Sequence, residues 1–111
     1  MGIAEHQVLV RCLLKELSAS KLCRVWAQNT GTAFRDGRTI HFGIYGGADI
    51  SGITIDGKRL EVEVKTGKAK QSEQQKRFEN MINEHNGIYI VARDVETTMQ
   101  ELKKKVSQCP H

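Results

Sequence analysis

Leu9, Leu13 and Leu17 recur every four residues, Val10 and Leu14 widen the stripe, and the pattern predicts a helix over 4–18. Residues 22–28 then alternate like a strand, and Asn29-Thr30-Gly31 breaks it. A polar loop is expected through Asp36-Gly37. Thr39 to Ile44 reads as either a short strand or an extended loop. Gly46 to Ile55 and Arg59 to Thr66 read as two paired strand-like segments. Ser72 to Gln75 has capping-box form and predicts a helix to about Asn86, with Phe78 and Ile82 inward and Gly87 as terminator. Ile88 to Ala92 is a short apolar strand of the buried kind. Asp94 caps a last helix whose stripe is Val95, Met99, Leu102 and Val106. The order is helix, three strands, helix, strand, helix (α-β-β-β-α-β-α), and it predicts an α/β (α+β) fold with a mixed sheet flanked by helices.

The paired strands hold the most chemistry. Side chains alternate faces along a strand, and residues directly opposite in an antiparallel pair share a face. A two-residue turn at Asp56-Gly57 would set Asp49 against Val64 and mix apolar with charged side chains on both faces. A three-residue loop, Ile55-Asp56-Gly57 with Gly57 left-handed, pairs Thr54 with Lys58 and Asp49 with Glu63. One face then carries Ile50, Gly52, Thr54, Leu60, Val62 and Val64. The other carries Asp49, Ser51, Ile53, Arg59, Glu61, Glu63 and Lys65. A slip of one residue destroys this separation, so the three-residue loop is the expected one. It makes Asp49, Glu63 and Lys65 neighbours. Two carboxylates beside one ammonium can hold a hard divalent cation and stabilise charge developing on a phosphate.

Composition narrows the setting. A chain of 111 residues fits one domain. It has no apolar leader and no membrane-spanning run. Cys12, Cys23 and Cys109 form no CxxC pair, which argues against a disulfide framework or a zinc site. These features lead to the expectation of an intracellular, reducing compartment. The net charge is +4, with positive clusters at Lys58-Arg59, Lys65 to Lys70, Lys76-Arg77 and Lys103 to Lys105. Such clusters attract phosphate backbones, although the last also suits the end of a helix. Gly67-Lys68 lacks the rest of a nucleotide-binding phosphate loop, so no nucleotide cofactor is expected.

Glu5, Asn29-x-Gly31, Gly47-Ala48-Asp49-Ile50, Glu63-Val64-Lys65-Thr66-Gly67-Lys68 and Ser72-x-x-Gln75-x-x-Phe78 occur in this order. Together they resemble the PD-(D/E)xK nuclease superfamily, and within it a stand-alone VRR-NUC domain. The match spans residue 5 to about 92 and excludes the last helix. Ala48 stands where the family has proline. Gln74 competes with Gln75 for the family's glutamine, and the distance to Phe78 favours Gln75.

The resemblance implies a restriction-endonuclease-like core over residues 1–111. It also implies a Mg²⁺- or Mn²⁺-dependent endonuclease hydrolysing phosphodiester bonds, selective for branched DNA such as Holliday junctions. A junction needs two opposed cuts, so a bare domain of this kind is expected to act as a homodimer. The alternatives are a catalytically silent DNA-binding module and a nuclease for linear DNA.

On this reading Asp49 and Glu63 bind the metal, with the Val64 carbonyl and waters completing an octahedron. Lys65 stands beside the phosphate. Glu5, at the start of the first helix, reaches the metal or a water on it. Against this stands an exposed acid favoured by the helix dipole, and Glu16 is a rival about 16 Å further along the axis. Gln75 orients the attacking water or a phosphate oxygen, against capping alone. Glu61 supports the site or pairs with Arg59. Lys58, Lys68, Lys70 and Arg35 are candidate DNA contacts. Trp26 and Phe34 are candidates for DNA or a partner subunit, with core packing the better account of Trp26. His6, His41 and His85 have no metal-cluster spacing.

Overall fold

A computed structural model of the chain describes residues 2–28, 31–42 and 46–107. The elements are α1 (Gly2–Ala19), β1 (Cys23–Ala27), β2 (Gly31–Arg35), β3 (Arg38–Phe42), β4 (Ile50–Thr54), β5 (Arg59–Val64), α2 (Glu73–Glu84), β6 (Ile88–Ala92) and α3 (Val95–Ser107). The main sheet has the order β1-β4-β5-β6. Its first two pairings are antiparallel and β5-β6 is parallel, which makes it mixed. Helices flank this sheet on both sides, as the alternation of patterns predicts.

Two strands stand outside the order of elements read from the sequence. Gly31 to Phe42 forms a separate hairpin: β2 lies where a polar loop was expected, and β3 takes the strand alternative left open for Thr39 to Ile44. Asp36 and Gly37 both have positive φ, 51° and 73°, between the paired Arg35 and Arg38. That is a two-residue primed turn, whose twist matches its flanking strands, and Asp-Gly is among the sequences that favour it. Asn29, Thr30, residues 43–45, Cys109 and Pro110 lie outside the described residues.

The β4–β5 register follows the three-residue loop. Ile50 pairs with Val62, Ser51 with Glu61, Gly52 with Leu60 and Ile53 with Arg59. Gly57 has φ +86° and its amide donates to Thr54 O at 2.9 Å, while the Thr54 amide donates to Lys58 O at 2.9 Å. The Thr54 hydroxyl also bonds the Asp56 carboxylate. The turn therefore fixes which way every later side chain of β5 points.

One face of the sheet presents Ile50, Leu60, Val62, Val64, Ile88, Ile90 and Ala92 to a core shared with Leu13 and Leu17 of α1 and with Leu102 and Val106 of α3. Each such aliphatic side chain contributes about 1.5–3 kcal/mol by leaving water. On the opposite face α2 buries Phe78 and Ile82 against Ala48 and Tyr89, with the Phe78 and Tyr89 rings edge to face at 6.3 Å. The face predicted to be charged is thus largely covered: Ser51, Glu61 and Glu63 are buried.

Two expectations need correction. α2 stops at Glu84 with His85 as its cap, and Asn86, not Gly87, takes the left-handed conformation at φ +65°. Asparagine tolerates this conformation better than most residues. Trp26 is 47% exposed rather than a core residue. Val25 takes the inward position of this edge strand, so alternation turns Trp26 to the other face. Among the described residues no helix is long and apolar enough to cross a membrane.

Candidate functional site

Asp49 lies immediately before β4, and the Gln28 amide donates to its carbonyl at 2.8 Å, extending the β1–β4 ladder by one residue. The established register sets Asp49 across from Glu63, one step beyond Ile50 and Val62. The Val64 amide donates to Asp49 Oδ2 at 2.8 Å. That bond ties the carboxylate to the strand carrying Glu63 and Lys65. Lys65 Nζ stands 3.5 Å from Glu63 Oε2, with both side chains largely buried. The three residues singled out from the sequence are therefore brought together on one face.

Gln75 takes the capping duty that was one of the two roles weighed for it, and its side chain also reaches the site. Its Oε1 accepts from the Ser72 amide at 2.9 Å, and the Ser72 hydroxyl accepts from the Gln75 amide at 3.1 Å, which completes the capping box. Its Nε2 then donates to Glu63 Oε2 at 3.0 Å. One amide group thus fixes the start of α2 and orients a carboxylate of the site.

The helix residue that reaches the cluster is His6. Its Nε2 is 3.3 Å from Asp49 Oδ2. An ionised carboxylate only accepts, so the contact requires a proton on Nε2. Glu5 is exposed in the first turn and is not among the residues lining the cleft beside the cluster. Helix geometry explains the difference. His6 precedes the buried Leu13 by seven residues, about 20° from whole turns, whereas Glu5 precedes it by eight, about 80° away. The signal for His6 was the inward stripe itself, His6, Val10, Leu13 and Leu17, which a search for acidic residues passes over.

A cleft of about 360 Å³ opens between α1 and the end of β5, and its lining includes His6, Glu63, Val64 and Lys65. The basic loop after Lys65 is held by Arg93, whose guanidinium donates to Gly67 O at 3.2 Å and Ala69 O at 2.8 Å. This leaves Lys68 and Lys70 exposed beside the cleft. Arg35 is exposed at the far hairpin, and Lys58 lies in the β4–β5 turn. The side chains of Phe34 and His41 are outside the described set. Glu61 is buried, accepts from Ser51 Oγ at 3.0 Å and pairs with Arg59 at 2.7 Å, as one of its two expected roles required.

Electrostatics favours a cation here. Burial pushes the Glu63 carboxyl up from 4.5 to about 7, the Asp49 carboxylate pushes it the same way, and Lys65 offsets part of the effect. A divalent ion would relieve both causes. The donors are carboxylate oxygens, the type Mg²⁺ and Mn²⁺ prefer. Among the described residues no three His, Cys, Asp or Glu side chains form a ready metal cage. A bound ion would draw further ligands from backbone or water, as Mg²⁺ commonly does. Tyr89, held by Gln71 at 3.4 Å, is also kept protonated by burial and by the nearby carboxylates.

No protein-family model matches the chain, and no curated protein matches it significantly.

Proposed function

We propose that this chain is a Mg²⁺- or Mn²⁺-dependent DNA endonuclease of the PD-(D/E)xK type, similar to the VRR-NUC branch, acting on branched DNA as a homodimer. The observation that carries the reading is the meeting of Asp49 and Glu63 with Lys65 on one sheet face, where Glu63 and Lys65 line a cleft beside the exposed Lys68 and Lys70. Asp49 and Glu63 would hold the ion. When bound, it would supply Lewis acidity to the scissile phosphate.

The chain's own groups have separable tasks. The Val64 amide and His6 hold Asp49. Gln75 holds Glu63. Lys65, 3.5 Å from Glu63, would stand beside the phosphate oxygens and stabilise charge developing on them. Lys68 and Lys70 attract the flanking backbone.

The test is cleavage of labelled four-way junction, flap, duplex and single-stranded DNA, with Mg²⁺, Mn²⁺ or EDTA. Asp49→Ala and Lys65→Ala should each lower cleavage by at least a hundredfold while DNA affinity changes less than threefold. Full activity of Asp49→Ala would remove the assignment. Binding of junctions without cutting under any metal condition would leave a DNA-binding module instead.

A further inference from the structure

The sheet face that carries Asp49 and Glu63 continues beyond the part covered by α2. Cross-strand pairing arranges that continuation in rows. Arg24 stands opposite Ile53, and Ile53 opposite Arg59. Trp26 stands opposite Ser51, and Ser51 opposite Glu61. Directly paired residues share a face, so Arg24, Trp26, Ile53 and Arg59 emerge on the side of the carboxylates. Trp26 and Ile53 are 47% and 48% exposed, and half of the Arg59 side chain is exposed as well. The acid of these rows, Glu61, is buried and committed to Arg59 and Ser51. The result is an apolar surface bordered by guanidinium groups, without an exposed carboxylate in its rows.

We propose that Trp26 and its diagonal neighbour Ile53, with Arg24 and Arg59 on either side of Ile53, form a platform on which an unpaired base of the nucleic-acid substrate stacks. The inference rests on the nuclease reading for its role, since it names the substrate class: DNA with bases splayed from the helix near the cut. An aromatic ring offers every base a stacking surface, and flanking cations track the backbone. A fully paired duplex keeps its bases stacked on one another and gains little from such a surface.

Geometry supports the coupling to cleavage. Trp26 is two residues before Gln28, whose amide joins Asp49. One strand spacing and one side-chain repeat separate the Trp26 and Asp49 backbones by about 8 Å. That is roughly two nucleotides at 3.4 Å each. Charge argues against a second copy of the chain as occupant. Self-complementary docking across a two-fold axis would bring arginines of one patch towards those of the other.

Trp26 is the chain's single tryptophan, so its emission reports this surface alone. The wild-type chain in EDTA is titrated with a short single strand, a fork whose two arms are unpaired and a blunt duplex. Binding is followed in parallel by anisotropy of the labelled DNA. Single-stranded and splayed DNA should quench Trp26 at saturation, and duplex at equal phosphate should not. Trp26→Ala should weaken the first two about tenfold and leave duplex affinity unchanged, with Trp26→Phe recovering most of the loss.

Unchanged emission at saturation would overturn the platform, as would failure to bind any of these DNAs. An emission shift that depends on protein concentration without DNA would overturn it in favour of self-association. Metal-dependent cleavage without a Trp26 response would reject the platform alone. Quenching without cleavage under any metal condition would reject the nuclease reading alone.

Discussion

Replacing Glu63 by glutamine removes a charge that the fold holds at a disadvantage. Glu63 is 4% exposed and has Asp49 for a neighbour, and its carboxyl is raised from 4.5 to about 7. The folded chain therefore binds this proton more tightly than the unfolded chain does. The resulting stability is fully present below pH 4.5 and is lost as pH rises through about 7. At about 1.4 kcal/mol per pH unit, that interval amounts to something on the order of 3 kcal/mol. Glutamine has nearly the same shape, can accept from Gln75 through oxygen and can donate towards Asp49 through nitrogen.

Glu63→Gln should therefore match the wild type near pH 4 and exceed it at pH 8. The gain should be on the order of 3 kcal/mol, or roughly 13 °C in Tm. Urea melts of both proteins in EDTA, taken across pH 4–8, read the difference directly, because other titrating groups largely cancel. A difference that stays flat with pH would refute the account of Glu63. Adding Mn²⁺ at pH 8 should then stabilise the wild type and not the variant, since only a state that binds the ion gains from it.

The same contacts fix two further outcomes. His6→Ala should lower cleavage about tenfold by releasing Asp49, with His6→Gln recovering part of the loss; equal activity of all three proteins would show that the His6 contact has no part in catalysis. Lys68→Ala combined with Lys70→Ala should weaken DNA binding and flatten its logarithmic salt dependence by about 1.8. An unaltered slope would take this loop off the contact surface.

The site was legible where two constraints acted on the same residues. Turn chemistry at Asp56-Gly57 and the need to separate Leu60 and Val62 from Glu61 and Glu63 both demanded one register, and that register is present. The capping box was legible for the same reason, because Ser72 and Gln75 report on each other. Residues with one weak signal were harder to assign. Asp36-Gly37 carried the hairpin signal, but the polar residues around it favoured a loop. Trp26 was assigned to core packing over a DNA or partner contact, whereas its exposure follows from which of two alternating positions faces the core. His6 belonged to an apolar periodicity and was considered only as a possible metal cluster. The reach of Gln75 Nε2 to Glu63 depends on how α2 docks, and no local pattern encodes that distance.

The loop at 55–57 gives this chain an unusual point of fragility. It touches neither Glu63 nor Lys65, yet its length decides on which side of the sheet they emerge. Closing the same residues as a two-residue turn at Asp56-Gly57 would leave the whole composition intact. It would also aim two charges at a bed of leucines and bring Val62 and Val64 out beside Asp49. Spacing in that corner is therefore a stricter requirement than the identity of many side chains nearer the chemistry.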